Sequence, residues 1–266
     1  MTEVPERSAP LPLHDVPDEV GRVALLSDIH GNLPALEACL RDVEADGVDA
    51  VCLLGDTVWG PQPREVLERL AALPVPVHGL RGNCERWLLE LVDGVAEPER
   101  PTDGWMVASC GPAELGAVQA WPGSLRIHVA GLGALRLCHG SPRSDIELLT
   151  PGRDPDAVRE AAASLEGERG FAHGHTHVQY RRDLGELLVV APGSVGLPYG
   201  VATPGARWAL LDGPRVELRT SPYDVELAIT ACERSGFPAT SWGPVLRAPI
   251  PLDELEEDAT ARGFSM

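Results

Sequence analysis

The chain has no lysine. All 22 of its basic side chains are arginines, set against 40 carboxylates, for a formal net charge of −18. A surface this acidic repels long polyanions, and no arginine-rich run offsets it locally, so extended DNA or RNA is excluded as a partner. Aromatics are scarce at 5%, which leaves the core to Leu, Val and Ala. There is no CxxC pair: Cys39, Cys52, Cys84, Cys110, Cys138 and Cys232 are scattered, several beside apolar runs, and read as buried free thiols of a reducing compartment. No stretch approaches the roughly eighteen continuous apolar residues of a membrane span. The polar, proline-rich start carries no apolar signal segment. The expectation is a cytoplasmic, soluble protein with no membrane partner. A GxGxxG after the first strand is also missing, which removes a dinucleotide-dependent oxidoreductase.

What is present suits one large α/β domain: 266 residues, 44% of them hydrophobic. Residues 1–21 read as a flexible N-terminal arm, because Pro5, Pro10, Pro12 and Pro17 block regular structure. Residues 22–236 form the predicted domain, and 237–266 an acidic tail packed on it or trailing from it. The run 22–27 predicts a buried strand, followed by a helix over 33–46 in which Leu33, Leu36, Cys39, Leu40 and Val43 recur at three- and four-residue steps. Strand 49–54 with helix 63–72, then strand 75–80 with a helix from Glu85, repeat the unit, which argues parallel βαβ connections. Beyond them the pattern predicts a helix at 115–121, hairpin strands at 125–129 and 135–137, and a helix at 155–165. Strands at 186–190, 207–211 and 216–220 are expected to form a second, antiparallel-rich sheet, before helices at 223–235 and 252–261.

Five polar clusters each follow a strand-like or short apolar run: Asp28-x-His30, Gly55-Asp56, Gly82-Asn83, His139-Gly140 and Gly174-His175-x-His177. Taken singly, each is the ordinary material of turns, caps and solvated histidines. Together they acquire a shared address, because the carboxyl ends of strands in an open α/β sheet lie side by side and are where ligands bind. Imidazole nitrogens with carboxylate and amide oxygens suit divalent Mn, Fe, Zn, Co or Ni. Seven donors exceed what one ion needs, and a shared carboxylate can bridge two.

The order D-x-H, G-D, G-N-C-E, H and G-H-x-H resembles the calcineurin-like metallophosphoesterase superfamily. The match runs over roughly residues 22–220 and is most similar to the small bacterial and archaeal phosphodiesterase branch, with Leu54-Gly55-Asp56, Gly82-Asn83-Cys84-Glu85 and Pro192-Gly193-Ser194. The resemblance implies a four-layer αββα sandwich of two mixed sheets flanked by helices. It also implies a two-metal phosphoesterase acting on a small phosphorylated substrate through a metal-bridging water or hydroxide. Asp28, His30, Asp56 and His177 would hold one ion, and Asp56, Asn83, His139 and His175 the other, with Mn2+ favoured.

Where many members carry a histidine, this chain has Cys84, followed by Glu85. A thiol is a poorer proton donor to an alkoxide, so the expectation is an enzyme for phosphodiesters or other good leaving groups, with Cys84 and Glu85 on the leaving-group side. A phosphomonoesterase, or a non-catalytic interaction scaffold of the same fold, is the alternative. Arg143 and Ser194 are candidates to contact substrate, segments 59–64 and 197–199 to shape the cleft, and His173 to support the metal motif.

Overall fold

The computed structural model describes residues 12–261. β1 (Leu13–Val20) and β2 (Arg22–Leu26) lead into α1 (Leu33–Asp46). Asn32 caps α1 by accepting from the Ala35 amide, a proline sits in the first turn, and Gly47 closes it in the left-handed conformation. β3 (Ala50–Leu53), α2 (Pro63–Ala71), β4 (Val77–Gly79) and α3 (Asn83–Val92) repeat the pattern. Next come α4 (Pro101–Ser109), α5 (Pro112–Ala120), the hairpin β5 (Ser124–Val129) and β6 (Gly133–Cys138), and α6 (Pro155–Ala161). β7 (Gly170–His173), β8 (Gln179–Leu184), β9 (Leu187–Pro192), β10 (Ala206–Asp212) and β11 (Arg215–Ser221) follow. The chain closes with α7 (Val225–Ser235), α8 (Trp242–Arg247) and α9 (Leu252–Ala261).

The strands form two sheets, in the orders β1-β5-β6-β7-β9-β8 and β11-β10-β2-β3-β4. Period-two alternation sorts their side chains between layers. Val23, Leu25, Cys52 and Leu211 of one sheet meet Leu125, Ile127, Leu137 and Val190 of the other. Their neighbours Ala24, Leu26, Val51, Leu53 and Leu210 face outward onto Leu36, Leu40, Val66 and Leu70 of α1 and α2. On the opposite outer face, Phe171, Val189 and Ala191 lie under Val158 and Ala161 of α6. The architecture is a four-layer αββα sandwich of two mixed sheets. β2 and β3 are covered on both faces, which is why they read as continuous apolar runs, and each fully buried Leu contributes about 1.5–3 kcal/mol.

The structure departs from expectation in several places. Residues 13–20, placed by their prolines in the arm, form β1, an edge strand parallel to β5 whose register slips between Asp15 and Glu19, around Pro17. Edge position and irregularity are the two settings in which a strand tolerates proline, and Val16 and Val20 are buried there. The rest of the expected arm, 1–11, lies outside the described residues. β10 and β11 do not build a second sheet with β9. Instead β10 pairs antiparallel with β2 and extends the βαβ sheet, because Trp208 and Leu210 complete the apolar face that α1 covers. β8 was hidden by its polarity: in QYRRDL only Tyr180 is buried. In the tail, α8 buries Trp242 and Leu246 against Ile229 and Cys232 of α7. No helix of the described residues is long and apolar enough to cross a membrane.

Candidate metal centre

The five clusters leave the ends of β2, β3 and β4 in one sheet and of β6 and β7 in the other. Backbone bonds stitch the loops together. Asp28 N donates to Gly55 O (3.0 Å), His30 N to Asp56 O (2.9 Å), Gly174 N to His139 O (2.8 Å) and Gly196 N to Asp28 O (3.0 Å). Two glycines permit this proximity. Gly55 has φ +89°, and a Cβ there would stand 2.7 Å from His139 Nδ1, while a Cβ on Gly82 would overlap Asp56 Oδ1.

Among the described residues, the non-glycine positions with positive φ are Asp28 (52°), His30 (49°), Asp56 (51°), His175 (66°) and His177 (59°). All five are candidate ligands. Asp and His tolerate this region better than most residues, yet each such residue costs about 1 kcal/mol or more, and strain of this kind concentrates at functional sites.

Backbone carbonyls fix the imidazoles. A carbonyl only accepts, so Nδ1 must donate from His30 to Trp59 O (3.0 Å), from His139 to Leu54 O (2.7 Å) and from His177 to Leu197 O (2.6 Å). Each Nε2 is thereby aimed inward. His30 Nε2 and His177 Nε2 come within 3.2 Å of each other. Asp28 Oδ1 lies 3.3 Å from His177 Nε2, and Asp56 Oδ2 3.8 Å from His30 Nε2. His139 Nε2 lies 2.9 Å from Asn83 Oδ1 and 3.4 Å from Asp56 Oδ1. The His175 ring is 5.1 Å from that of His139, and its backbone N–H donates to Asp28 Oδ2 (3.1 Å).

This donor set calls for cations. Asp28 and Asp56 are buried at 0% and 3% exposure, and no arginine pairs with either among the described residues. Asp28 Oδ1 is buried without a hydrogen bond, and two Nε2 lone pairs face each other unless a proton or an ion lies between them. Without metal, protons take that place. Burial opposes charge on His139, yet the Asp56 carboxylate wins and pushes its imidazole up to about 10. His177 is likewise raised, against its burial, by Asp28. Both carboxyls are held below the usual range despite burial, Asp56 by His139 and His30 and Asp28 by His177 and His139. His30 is lowered by burial and by His177, and His175 falls to about 4 through burial and His139. Asp28–His30–His177, Asp28–Asp56–His139 and His30–Asp56–Cys84 each present ligand atoms within 4.8 Å of one another. The residues fit divalent metal.

The other candidates resolve differently. Glu85 is fully buried, and its carboxylate is taken up by backbone amides. Its carboxylate accepts from the backbone N–H groups of Asp56 (2.8 Å), Thr57 (2.7 Å), Val58 (3.1 Å) and Gly82 (2.8 Å), which locks the Asp56 loop against the start of α3. Burial and the Asp56 charge push it up to about 7, while those donors favour its anion. Arg143 is engaged by neighbouring carboxylates: it is forked onto Glu147 (2.9 and 2.7 Å) and reaches Glu160 (3.1 Å). Ser194 is 0% exposed. Its hydroxyl donates to Asp28 O (2.7 Å) and accepts from Leu197 N (2.7 Å), so it braces the Asp28 turn rather than a substrate. His173 is buried and bonds Tyr180 Oη at 2.7 Å behind the metal motif. Segments 59–64 and 197–199 supply the Trp59 and Leu197 carbonyls, and Tyr199 stacks on His177 at 4.5 Å. The carbonyl roles carry no sequence signature, since every residue has a carbonyl.

The family model for the calcineurin-like phosphoesterase superfamily domain matches residues 22–212. The phosphodiesterase YfcE of Escherichia coli K12 is 27% identical over 188 residues, 67% of this chain and 82% of that protein. A metallophosphoesterase from Sphaerobacter thermophilus superposes with a TM-score of 0.66 at 24% identity, covering 85% of this chain and 97% of that one. Hypothetical protein PH1004 from Pyrococcus horikoshii OT3 gives a TM-score of 0.75 at 21% identity, covering 86% and 99%. These two structures share its fold.

Proposed function

The chain belongs to the calcineurin-like phosphoesterase superfamily, and from that premise we propose a two-metal-dependent hydrolase of small phosphoric esters that favours phosphodiesters. The observation that carries this reading is the convergence of Asp28, Asp56, Asn83 and four imidazoles at the strand ends, five of the seven on left-handed backbone, with no arginine among the described residues to balance the carboxylates. Asp28, His30, Asp56 and His177 would hold one ion, and Asp56, Asn83, His139 and His175 the other. Divalent ions bound there would supply Lewis acidity toward the phosphoryl oxygens and activate water for attack on phosphorus. Manganese is the proposed working metal, since Asp28, Asp56 and Asn83 bring oxygen to both ions.

The chain's own residues prepare that site. The Trp59, Leu54 and Leu197 carbonyls fix the tautomers of His30, His139 and His177, so each presents a bare Nε2 once its proton is displaced. Glu85 and Ser194 hold the two aspartate loops from behind. The diester preference rests on Cys84, a buried thiol where an imidazole would serve better as proton donor to a poor leaving group. An aryl or otherwise acidic leaving group needs no such donor. The relative YfcE, named as a phosphodiesterase, supports this choice. The six cysteines, all free and buried, support a reducing, cytoplasmic setting.

A hydrolysis screen with added Mn2+, comparing bis-aryl phosphodiesters, cyclic nucleotides, dinucleotides and phosphomonoesters, tests the reading. Faster turnover of a diester is expected. Faster turnover of monoesters would make the protein a phosphomonoesterase, and no turnover with metal bound would leave an interaction scaffold.

A further inference from the structure

Cys84 is the only cysteine that reaches the polar centre. Cys39, Cys52, Cys110, Cys138 and Cys232 lie buried in apolar clusters. The Cys84 thiol instead borders two worlds, with Val58, Trp59, Leu88 and Leu197 in the apolar cluster on one side and the aspartates on the other. Its Sγ, a His30 nitrogen and an Asp56 oxygen all lie within 4.8 Å of one another. Zinc ligands sit about 2.0–2.3 Å from their ion, so small side-chain adjustments bring these three atoms to a common one.

The backbone holds the thiol in place. Cys84 N donates to Asp56 Oδ1 at 2.9 Å, and Glu85 ties Gly82 N to the Asp56 loop at 2.8 Å. Sγ lies 3.5 Å from Asn83 Nδ2, and its S–H is directed to the Asp56 carboxylate, so sulfur already sits against a ligand of that ion. We propose that Cys84 is a further metal ligand, its thiolate completing the shell of the ion held by His30 and Asp56. This rests on the two-metal reading above. As the sulfur–metal bond forms, the S–H proton passes to solvent, and no oxidant or reductant is needed. A thiolate makes that ion's site the softer of the two, so it takes Zn, Fe or Co more readily than the nitrogen and oxygen site beside it, while Mn2+ still fills both when it is the metal supplied. Ligation also leaves Cys84 no proton to give, which agrees with a preference for good leaving groups.

The test uses the full chain freed of metal with chelator and titrated with Co2+. Cobalt uptake is counted by elemental analysis, and the near-ultraviolet thiolate-to-cobalt charge-transfer band is followed in parallel. Wild type is expected to develop the band as cobalt binds, and Cys84→Ser to bind cobalt with the band lost. X-ray absorption of zinc-loaded wild type, which needs no variant, is expected to show sulfur at about 2.3 Å. Cobalt uptake without the band, with only nitrogen and oxygen around zinc, would overturn the Cys84 assignment and spare the two-metal reading. A band that survives in Cys84→Ser would also overturn it. No cobalt uptake by wild type would overturn both.

Discussion

Asp28 and Asp56 end neighbouring parallel strands, share a left-handed φ and each face an imidazole, yet the protein supports them by different means. Behind Asp56 the support is ionic: the Glu85 carboxylate gathers four backbone N–H groups and pins the loop to the first turn of α3. Behind Asp28 it is neutral, through the Ser194 hydroxyl, the Gly196 amide and the His175 amide. Asp56 also spends Oδ1 on the Cys84 amide, whereas no backbone group bonds Asp28 Oδ1, which faces the His177 imidazole at 3.3 Å. The difference matches their proposed duties. A carboxylate shared by two ions needs both oxygens fixed, and one serving a single ion can keep an oxygen free for it.

This contrast can be broken in descending steps. Asp56→Asn should lower phosphodiester turnover by at least about 10³-fold, about 4 kcal/mol of barrier, and Asp28→Asn by about 10²-fold. Steady-state kinetics with saturating Mn2+ measure both, and equal losses would erase the proposed asymmetry. Next come the supports. Glu85→Ala strands four buried backbone donors and should destabilise the fold by about 3 kcal/mol or more, against about 1–2 kcal/mol for Ser194→Ala. Urea unfolding of the two variants decides, and a Ser194→Ala cost as large as that of Glu85→Ala would show that the ionic clamp is not the stronger.

The smallest effect is on pH dependence. His139 is pushed up to about 10, above the roughly 6.5 of a free imidazole. A raised folded value stabilises fully below about 6.5, and the contribution is lost as pH rises through about 10. The metal-free protein should therefore lose melting temperature across that window. The Mn2+-loaded protein should not, because binding needs the unprotonated ring. A metal-free melting temperature that stays level from pH 6.5 to 10 would remove the His139–Asp56 charge pair as a source of stability.

Much of this was legible in the chain because its chemistry is written in side chains. The period-3.6 apolar face of α1 and the two-sided apolar runs of β2 and β3 announce their own positions. The candidate ligand clusters announce themselves by residue type at strand ends. What stayed hidden was decided by neighbours. β1 forms because Val16 and Val20 find the edge of β5, and β10 turns to β2 because Trp208 and Leu210 have α1 to pack on. The pairing of Arg143 with Glu147 and Glu160 is likewise invisible in the sequence. Glu85 looked catalytic beside Cys84, but its position at the start of α3 turns its carboxylate onto backbone amides.

The central claim is that one buried carboxylate joins two metal ions, and counting bound Mn2+ by equilibrium dialysis tests it most directly. The account predicts two ions per wild-type chain and loss of both in Asp56→Asn at the same free Mn2+. Two ions retained by Asp56→Asn would contradict it.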